Sequence, residues 1–308
     1  MINKAIGLSR ETRGFIFGFL GVLIFSVTLP ATRIAVQDLD ATFVGLGRAL
    51  VAAVLAALCL IVLRQPIPTR RQLLRLGVVA LGVVVGFPLL SAWALRQVPA
   101  SHSAIINGLL PMATAVLAVL WDGDRPARLF WVAALIGSVT VIGFVFITGE
   151  VGFVGGDLFM LGAVLIGAVG YVEGGRMSRE IGSWQTICWA LIVAAPFLAV
   201  PVGVVVAQTG LEASAQAWLG FAYVSVFSMF LGFFAWYRGL ALGGIARVGQ
   251  VQLIQALLTI TWSSLLLGEA VTPLMIGAAL VVIAMIFIIR RVPIHKRSSF
   301  PAVSQPDQ

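Results

Sequence analysis

The feature that most constrains this chain is a succession of long apolar runs separated by short loops. Each run has about 20 residues, the length that an α-helix needs to cross the hydrocarbon core of a bilayer. Only 10% of the 308 residues are charged, against about 25% in a typical soluble domain. We therefore predict an all-α membrane protein of about ten transmembrane helices. The predicted spans are residues 14–36, 42–63, 73–96, 100–121, 128–148, 157–176, 184–207, 216–238, 244–267 and 273–290.

The loops on the two sides of the predicted membrane differ in charge. With the N-terminus inside, most of the 20 Lys and Arg residues fall in inner loops, and the outer loops contain Arg33 and Arg96. Asp38, Asp40 and Glu212 fall in the outer loops. Because basic loops stay on the cytoplasmic side, we predict a multi-pass protein of the cell (inner) membrane with both termini cytoplasmic. The dispersed basic residues also argue against a nucleic-acid partner, despite the net charge of +8.

The two halves of the chain end in similar segments. The first ends in DRPARLFWVAAL, which begins at Asp124, and the second in EAVTPLMIGAAL, which begins at Glu269. In both, an acidic residue closes one apolar helix and a second apolar helix starts a few residues later. Each half has five predicted helices, and an odd number reverses the membrane orientation of the second copy. This pattern predicts two inverted five-helix repeats, residues 14–148 and 157–290, followed by a cytoplasmic tail, residues 291–308.

These segments also carry a family resemblance. Pro111 is followed by an apolar stretch that ends at Asp124, and Leu266-Leu267-Gly268-Glu269 closes the corresponding helix of the second half. In these features the chain resembles the drug/metabolite transporter superfamily, in the branch with two EamA-type repeats. It departs from the family pattern at Ala256, where the family has Pro, and at Asp124, where the family has Glu. The resemblance implies a transporter of amino acids, other metabolites or drugs whose fourth helices line the cavity.

Amide side chains lie inside two predicted helices, the fourth and the ninth, that the inverted repeat would bring face to face. Asn107 lies four residues before Pro111, whose missing N–H leaves the Asn107 carbonyl without its helical hydrogen bond. Polar residues follow one another at helical spacing along the ninth helix: Gln252, Gln255, Thr259 and Ser263. We predict that Asn107, Gln252 and Gln255 line a substrate-binding cavity. The alternatives are a kink that improves packing and a polar stripe that joins helices.

Three further residues complete the candidate substrate-binding set. Arg48 lies inside the second predicted helix, where it could hold a substrate carboxylate or pair with Asp38 or Asp40 at the outer rim. Tyr171 is deep enough in its helix to stack on a substrate or to pack in the core. Trp93 lies near a helix end, where an interfacial position also accounts for it.

Two titratable residues inside the predicted helices have structural as well as functional interpretations. Glu173 could carry protons, or it could pair with Arg176, which is three residues away on the same helix face. We predict that the pair with Arg176 is its main role. His102, at the start of the fourth helix, is interpreted as a hydrogen-bonded structural histidine.

Motifs of enzymes and cofactor sites are absent from the sequence. The two His and two Cys residues form neither an HExxH nor a CxxC motif, and there is no GxSxG motif or P-loop. We predict no enzymatic activity, no cofactor and no metal. The leading interpretation is a secondary transporter that exports small metabolites or amino acids by alternating access. The alternatives are a membrane-embedded enzyme or lipid-handling protein, and a scaffold or sensor. The expected partners are a small-molecule substrate and the lipid bilayer, and homo-oligomerisation stays open.

Overall fold

The computed structural model of the protein describes residues 9–122, 125–148, 155–243, 248–291 and 294–295. Its continuous helical stretches are numbered α1 to α10 in chain order, and several consist of consecutive segments. They are α1 (Arg10–Ser26, Thr28–Asp38), α2 (Phe43–Gly47, Arg48–Val62), α3 (Arg70–Val79, Ala80–Gly86, Phe87–Gln97), α4 (Ala100–Asn107, Leu110–Asp122), α5 (Arg128–Thr148), α6 (Gly155–Glu180), α7 (Ser183–Thr209), α8 (Ala215–Ala222, Tyr223–Gly232, Phe233–Gly243), α9 (Gly249–Gln252, Leu253–Leu267) and α10 (Pro273–Arg291). Two short strands, β1 (Arg125–Pro126) and β2 (Ile294–His295), pair antiparallel.

Seven helices in the described ranges are long and apolar enough to cross a bilayer. They are Thr12–Asp38, Phe43–Val62, Arg70–Gln97, Ala100–Trp121, Gly155–Glu180, Ser183–Thr209 and Ala215–Gly243. Shorter apolar helices cover Arg128–Phe144, Ile254–Leu267 and Pro273–Met285. The prediction of a helical, multi-pass membrane protein is confirmed, and its arrangement as ten spanning helices in two inverted repeats stays a prediction. Asp124 and most of the predicted tail, residues 291–308, lie outside the described residues.

Helix ends follow local signals in the sequence. At the start of α3, Thr69 and Gln72 form a capping box, in which the Thr69 N–H donates to Gln72 Oε1 at 2.9 Å. Gly268 ends α9 in the left-handed conformation, with φ of 67°, which glycine adopts without a steric penalty. In α4 the regular α-helix is interrupted by a turn at Gly108 and Leu109, between Asn107 and Pro111, where the missing N–H of the proline leaves the Asn107 carbonyl without its helical donor.

Small residues bring particular pairs of helices into close contact. Between α1 and α8, a Cβ added to Gly14 would lie 2.7 Å from the backbone N of Gly243. Between α3 and α6, a Cβ added to Gly82 would lie 2.5 Å from Gly170 Cα. Glycines at such positions allow the close backbone approach that holds membrane helices together. Large apolar side chains cover the outer surface, and Phe197 of α7 is 77% exposed, as expected for a surface that faces lipid.

Candidate functional site

A cavity lies among helices from both halves of the chain, and its empty space, open mouth included, is about 450 Å³. The described residues that line it are Phe25, Thr28, Leu29, Arg48, Val83, Phe87, Asn107, Leu110, Tyr171, Ser228, Met229, Phe233 and Gln255. Because α1 to α4 and α6, α8 and α9 all contribute, the cavity exists only when the two halves pack together.

Several helices depart from regular α-helical geometry where they reach the cavity. Helix α1 is interrupted at Val27, next to the lining residue Thr28, and α4 is interrupted directly after Asn107. The π-helical segments of α3 (Ala80–Gly86) and α8 (Tyr223–Gly232) also contribute lining residues. Segments of this kind are frequent at functional sites. At membrane depth, irregular backbone is tolerated where it is buried in protein or lines a cavity.

Four of the six predicted substrate-binding residues carry buried polar atoms with no hydrogen-bond partner in the described part of the protein. These atoms are Arg48 Nε and Nη1, Asn107 Oδ1, Gln252 Oε1 and Gln255 Oε1. Leaving a buried donor or acceptor unpaired costs about 1–3 kcal/mol for each group. Native proteins keep few such groups. Arg48, Asn107 and Gln255 line the same cavity. Other described residues outside its lining also carry such atoms, namely Arg13, Ser101, Ser103 and Trp236.

The surroundings of Arg48 differ from the rim pairing that the sequence left open. Asp38 Oδ2 accepts a hydrogen bond from the Ser214 backbone N–H at 2.9 Å, and Asp40 Oδ1 accepts one at 2.7 Å from a backbone N–H of its own loop. Arg48 is 2% exposed and lines the cavity, directly after the π-helical segment Phe43–Gly47. A rim pairing of Arg48 with Asp38 or Asp40 is therefore not seen in the described part of the protein.

The remaining predicted residues occupy three different positions. Tyr171 lines the cavity, and its hydroxyl faces the side-chain amide of Gln252. Gln252 lines a smaller neighbouring cavity of about 240 Å³ between α4, α9 and α10. Trp93 is not among the described residues that line either cavity. Its Nε1 donates to Thr42 Oγ1 at 3.1 Å and its ring packs against Phe159. Trp93 therefore has packing contacts away from both cavities, and its assignment to the substrate-binding set stays a prediction.

The polar stripe of α9 divides into two parts with different surroundings. Gln255 lines the cavity. Thr259 Oγ1 instead donates to the Ser26 carbonyl of α1 at 2.8 Å, and Ser263 Oγ donates to the Thr259 carbonyl at 2.8 Å. Gln255 therefore faces this cavity and Gln252 the smaller one, whereas Thr259 joins α9 to α1.

Several lining residues escaped the sequence analysis. The hydroxyls of Thr28 and Ser228 hydrogen-bond to each other between α1 and α8 at 2.8 Å, and Phe87 and Phe233 add aromatic rings to the wall. The sequence feature that could have pointed to Thr28 and Ser228 was a hydroxyl side chain inside an apolar run. This feature does not identify cavity-lining residues, because a helical Ser or Thr often hydrogen-bonds to a carbonyl of its own helix. Thr114, for example, donates to the Leu110 carbonyl.

An ionic cluster joins α3 to α6 on one side of the cavity. Glu173 Oε1 accepts a hydrogen bond from Arg75 Nε, and Arg75 Nη1 donates to Glu180 Oε2 at 2.6 Å. Arg176 Nη1 lies farther away, 3.9 Å from Glu173 Oε2. The predicted ion pair with Arg176 is present, but Arg176 is not the closest partner of Glu173. The closest partner is Arg75, which belongs to another helix and reaches Glu173 only through tertiary packing.

On the other side of the cavity, two acidic residues bind the first turn of α4. The Glu269 carboxylate accepts hydrogen bonds from the backbone N–H groups of Ala100 at 2.9 Å and Ser101 at 2.7 Å. A carboxylate is favourable there because the first N–H groups of a helix have no partner within the helix. His102 Nε2 lies 2.8 Å from Asp157 Oδ1, which confirms the interpretation of a hydrogen-bonded histidine.

Comparisons with known proteins agree with this architecture. The model of the EamA-like transporter family matches residues 12–147 and again residues 154–291. A protein of Bacillus subtilis (strain 168), named "Uncharacterized transporter YdeK", is 45% identical over 285 residues, which cover 92% of this chain and 99% of that protein. One crystal structure of a protein shares the fold, with a TM-score of 0.63 and 17% identity, over 90% of this chain and 96% of the other.

Together, the apolar helices and these matches define the protein as a multi-pass membrane transporter that acts on a small-molecule substrate. Two matched stretches cover most of its length. The chain belongs to the EamA-like transporter family. The resemblance drawn from Pro111 and from the segment that ends at Glu269 is confirmed.

Proposed function

We propose that this protein is a secondary transporter that exports small metabolites or amino acids across the cell membrane by alternating access. The observation that carries the proposal is the ring of unpartnered polar atoms of Arg48, Asn107 and Gln255 around a cavity lined by both halves of the chain. Secondary transporters typically bind their substrate between two such halves. In this proposal ten helices form two inverted repeats, residues 14–148 and 157–290, and the tail from residue 291 onward is cytoplasmic.

The chemistry of the cavity wall favours a solute with a carboxylate and a separate polar group. Arg48 offers a fixed positive charge and planar N–H donors, which suit a carboxylate. The amides of Asn107 and Gln255 can accept from an ammonium group or a hydroxyl. Phe25 and Phe87 provide apolar wall against which a side chain of the solute can pack. An amino acid combines these features in one small molecule.

Polar contacts on both sides of the cavity support alternating access. Along α6, Asp157 lies near one end and Glu180 at the other, with the cavity residue Tyr171 between them. Near the first end the Glu269 carboxylate binds the first turn of α4, and near the second end Arg75 binds α6. Polar contacts of this kind can exchange for contacts with water at modest cost, so either side can open while the other stays closed.

The test is flux from proteoliposomes that contain the purified protein and a pool of ¹³C-labelled amino acids and small carboxylic acids, followed by mass spectrometry. The triple variant Asn107→Ala, Gln252→Leu, Gln255→Leu should lower the flux of the transported solute by about 100-fold or more. Each hydrogen bond to a charged group contributes about 1.5–3 kcal/mol, and each 1.4 kcal/mol is a factor of ten.

A matched control is Thr261→Val on the same helix, because Thr261 is exposed and its hydroxyl donates to the Leu257 carbonyl of its own helix. This control should transport like the unmodified protein. Normal flux in a well-folded triple variant would place the substrate site elsewhere. No flux of any solute through the unmodified protein, even into a medium that contains the unlabelled pool, would count against export itself.

A further inference from the structure

Arg48 is a buried cation for which the described residues supply no counter-charge. Its Nε and Nη1 atoms have no hydrogen-bond partner there. The described ion pairs of arginine involve Arg75, Arg96 and Arg176. The nearest acidic candidates along the chain accept hydrogen bonds from backbone N–H groups, Asp38 from Ser214 and Asp40 from Thr42 in its own loop. The guanidinium stays protonated at any physiological pH, so the charge persists throughout the transport cycle.

The other polar groups in the cavity wall are neutral. Among the described lining residues they are the amides of Asn107 and Gln255, the hydroxyls of Thr28 and Ser228 and the phenol of Tyr171, and the rest are apolar. These groups can solvate a bound ion but cannot balance the charge of Arg48. When both sides of the cavity are closed, the compensating charge therefore has to come from a mobile anion inside it.

The need for a compensating anion affects the outward step and the return step of an alternating-access cycle differently. A solute with a carboxylate neutralises Arg48 on the outward step. If the empty protein returned alone, it would have to close around a bare guanidinium. An unpaired buried charge is costly enough to slow that step by roughly 100-fold or more. Return with an anion in the cavity avoids the penalty.

We infer that this transporter is an anion exchanger, in which Arg48 links the exit of one carboxylate-bearing solute to the entry of another anion. The inference rests on the proposed function and adds its mode of coupling. It assigns Arg48 a role beyond affinity: the residue suppresses return of the empty protein and thereby prevents net leak. The returning anion is a second carboxylate, or an inorganic anion such as chloride if the cavity accepts it.

The experiment measures efflux of the ¹³C-labelled pool from proteoliposomes into three external media, with the membrane potential held at zero by valinomycin and equal potassium concentrations. The media contain Tris–MES alone, Tris–MES with chloride, or Tris–MES with the unlabelled pool. We expect efflux into the unlabelled pool to exceed efflux into Tris–MES by roughly 100-fold. Stimulation by chloride alone would identify an inorganic anion as sufficient for the return step.

The variant Arg48→Gln keeps a hydrogen-bonding side chain and removes the charge. It should lower the maximal exchange rate and abolish the stimulation, so that efflux is equal in all three media. Arg96→Gln is the matched control, because Arg96 is 57% exposed at a distance of 3.9 Å from Asp40 and lines neither cavity. This control should keep the full stimulation.

Equal efflux from the unmodified protein in all three media would overturn exchange while leaving export in place. Stimulation that persists in Arg48→Gln would overturn the assignment of the coupling to Arg48. If no efflux occurred in any medium, both the proposed export function and this inference would be refuted.

Discussion

Helices α3 and α6 are in close contact at Gly82, next to residues that line the cavity. A Cβ added to Gly82 would lie 2.5 Å from Gly170 Cα, 2.7 Å from Gly170 N and 2.9 Å from the Ile166 carbonyl O. All three are backbone atoms, so no side-chain rotation can relieve the overlap. Val83 and Tyr171, which follow these two glycines in sequence, line the cavity. The substitution Gly82→Ala therefore perturbs the site through the helix packing.

The size of the effect follows from these distances. An ordinary contact of a Cβ atom measures 3.4–4 Å, so the helices must separate by roughly 1 Å in a tightly packed interior. Overpacking of this kind costs about 1–3 kcal/mol, which corresponds to a fall in Tm of about 2–10 °C. A displacement of 1 Å at a binding residue is also enough to lower transport by roughly tenfold or more.

The assay is thermal unfolding of the purified protein in detergent, combined with flux from proteoliposomes. Gly77→Ala is the matched control, because Gly77 lies in the same helix and a Cβ there meets no atom within 4 Å. The control should be as stable as the unmodified protein, or more stable by up to about 1 kcal/mol, since Ala favours the helix. If Gly82→Ala unfolded and transported like Gly77→Ala, the close contact of α3 and α6 would not be required for the site.

Two further predictions concern the ionic cluster and the orientation in the membrane. Glu173→Gln removes the ion pair with Arg75, so the protein should lose about 1–2 kcal/mol of stability, seen as a lower Tm, while the pH dependence of transport stays the same. An unchanged Tm with a lost pH response would instead identify Glu173 as a proton carrier. With cytoplasmic termini, Glu212→Cys should react with a membrane-impermeant maleimide added outside intact cells, and Arg64→Cys should react only after permeabilisation. The reverse pattern would invert the topology.

Local sequence determined the features that depend on one helix at a time. Apolar runs of bilayer length specify spanning helices, because backbone polar groups in lipid have to be satisfied within the segment itself. Pro111 interrupts α4 because it has no N–H to donate. Asn107, Gln255 and Arg48 could be selected from sequence for a similar reason. A polar or charged side chain inside an apolar run is costly in lipid, so it has to face protein, water or a solute.

Tertiary structure decided which groups meet. Helical spacing places Glu173 near Arg176, yet its shorter contact is with Arg75, 98 positions away in sequence. The same spacing puts Thr259 on one stripe with Gln255, but Thr259 bonds to Ser26 of α1 and only Gln255 reaches the cavity. A periodic pattern defines the face of a helix. The partner of that face depends on how closely neighbouring helices approach, and small residues such as Gly82 set that distance.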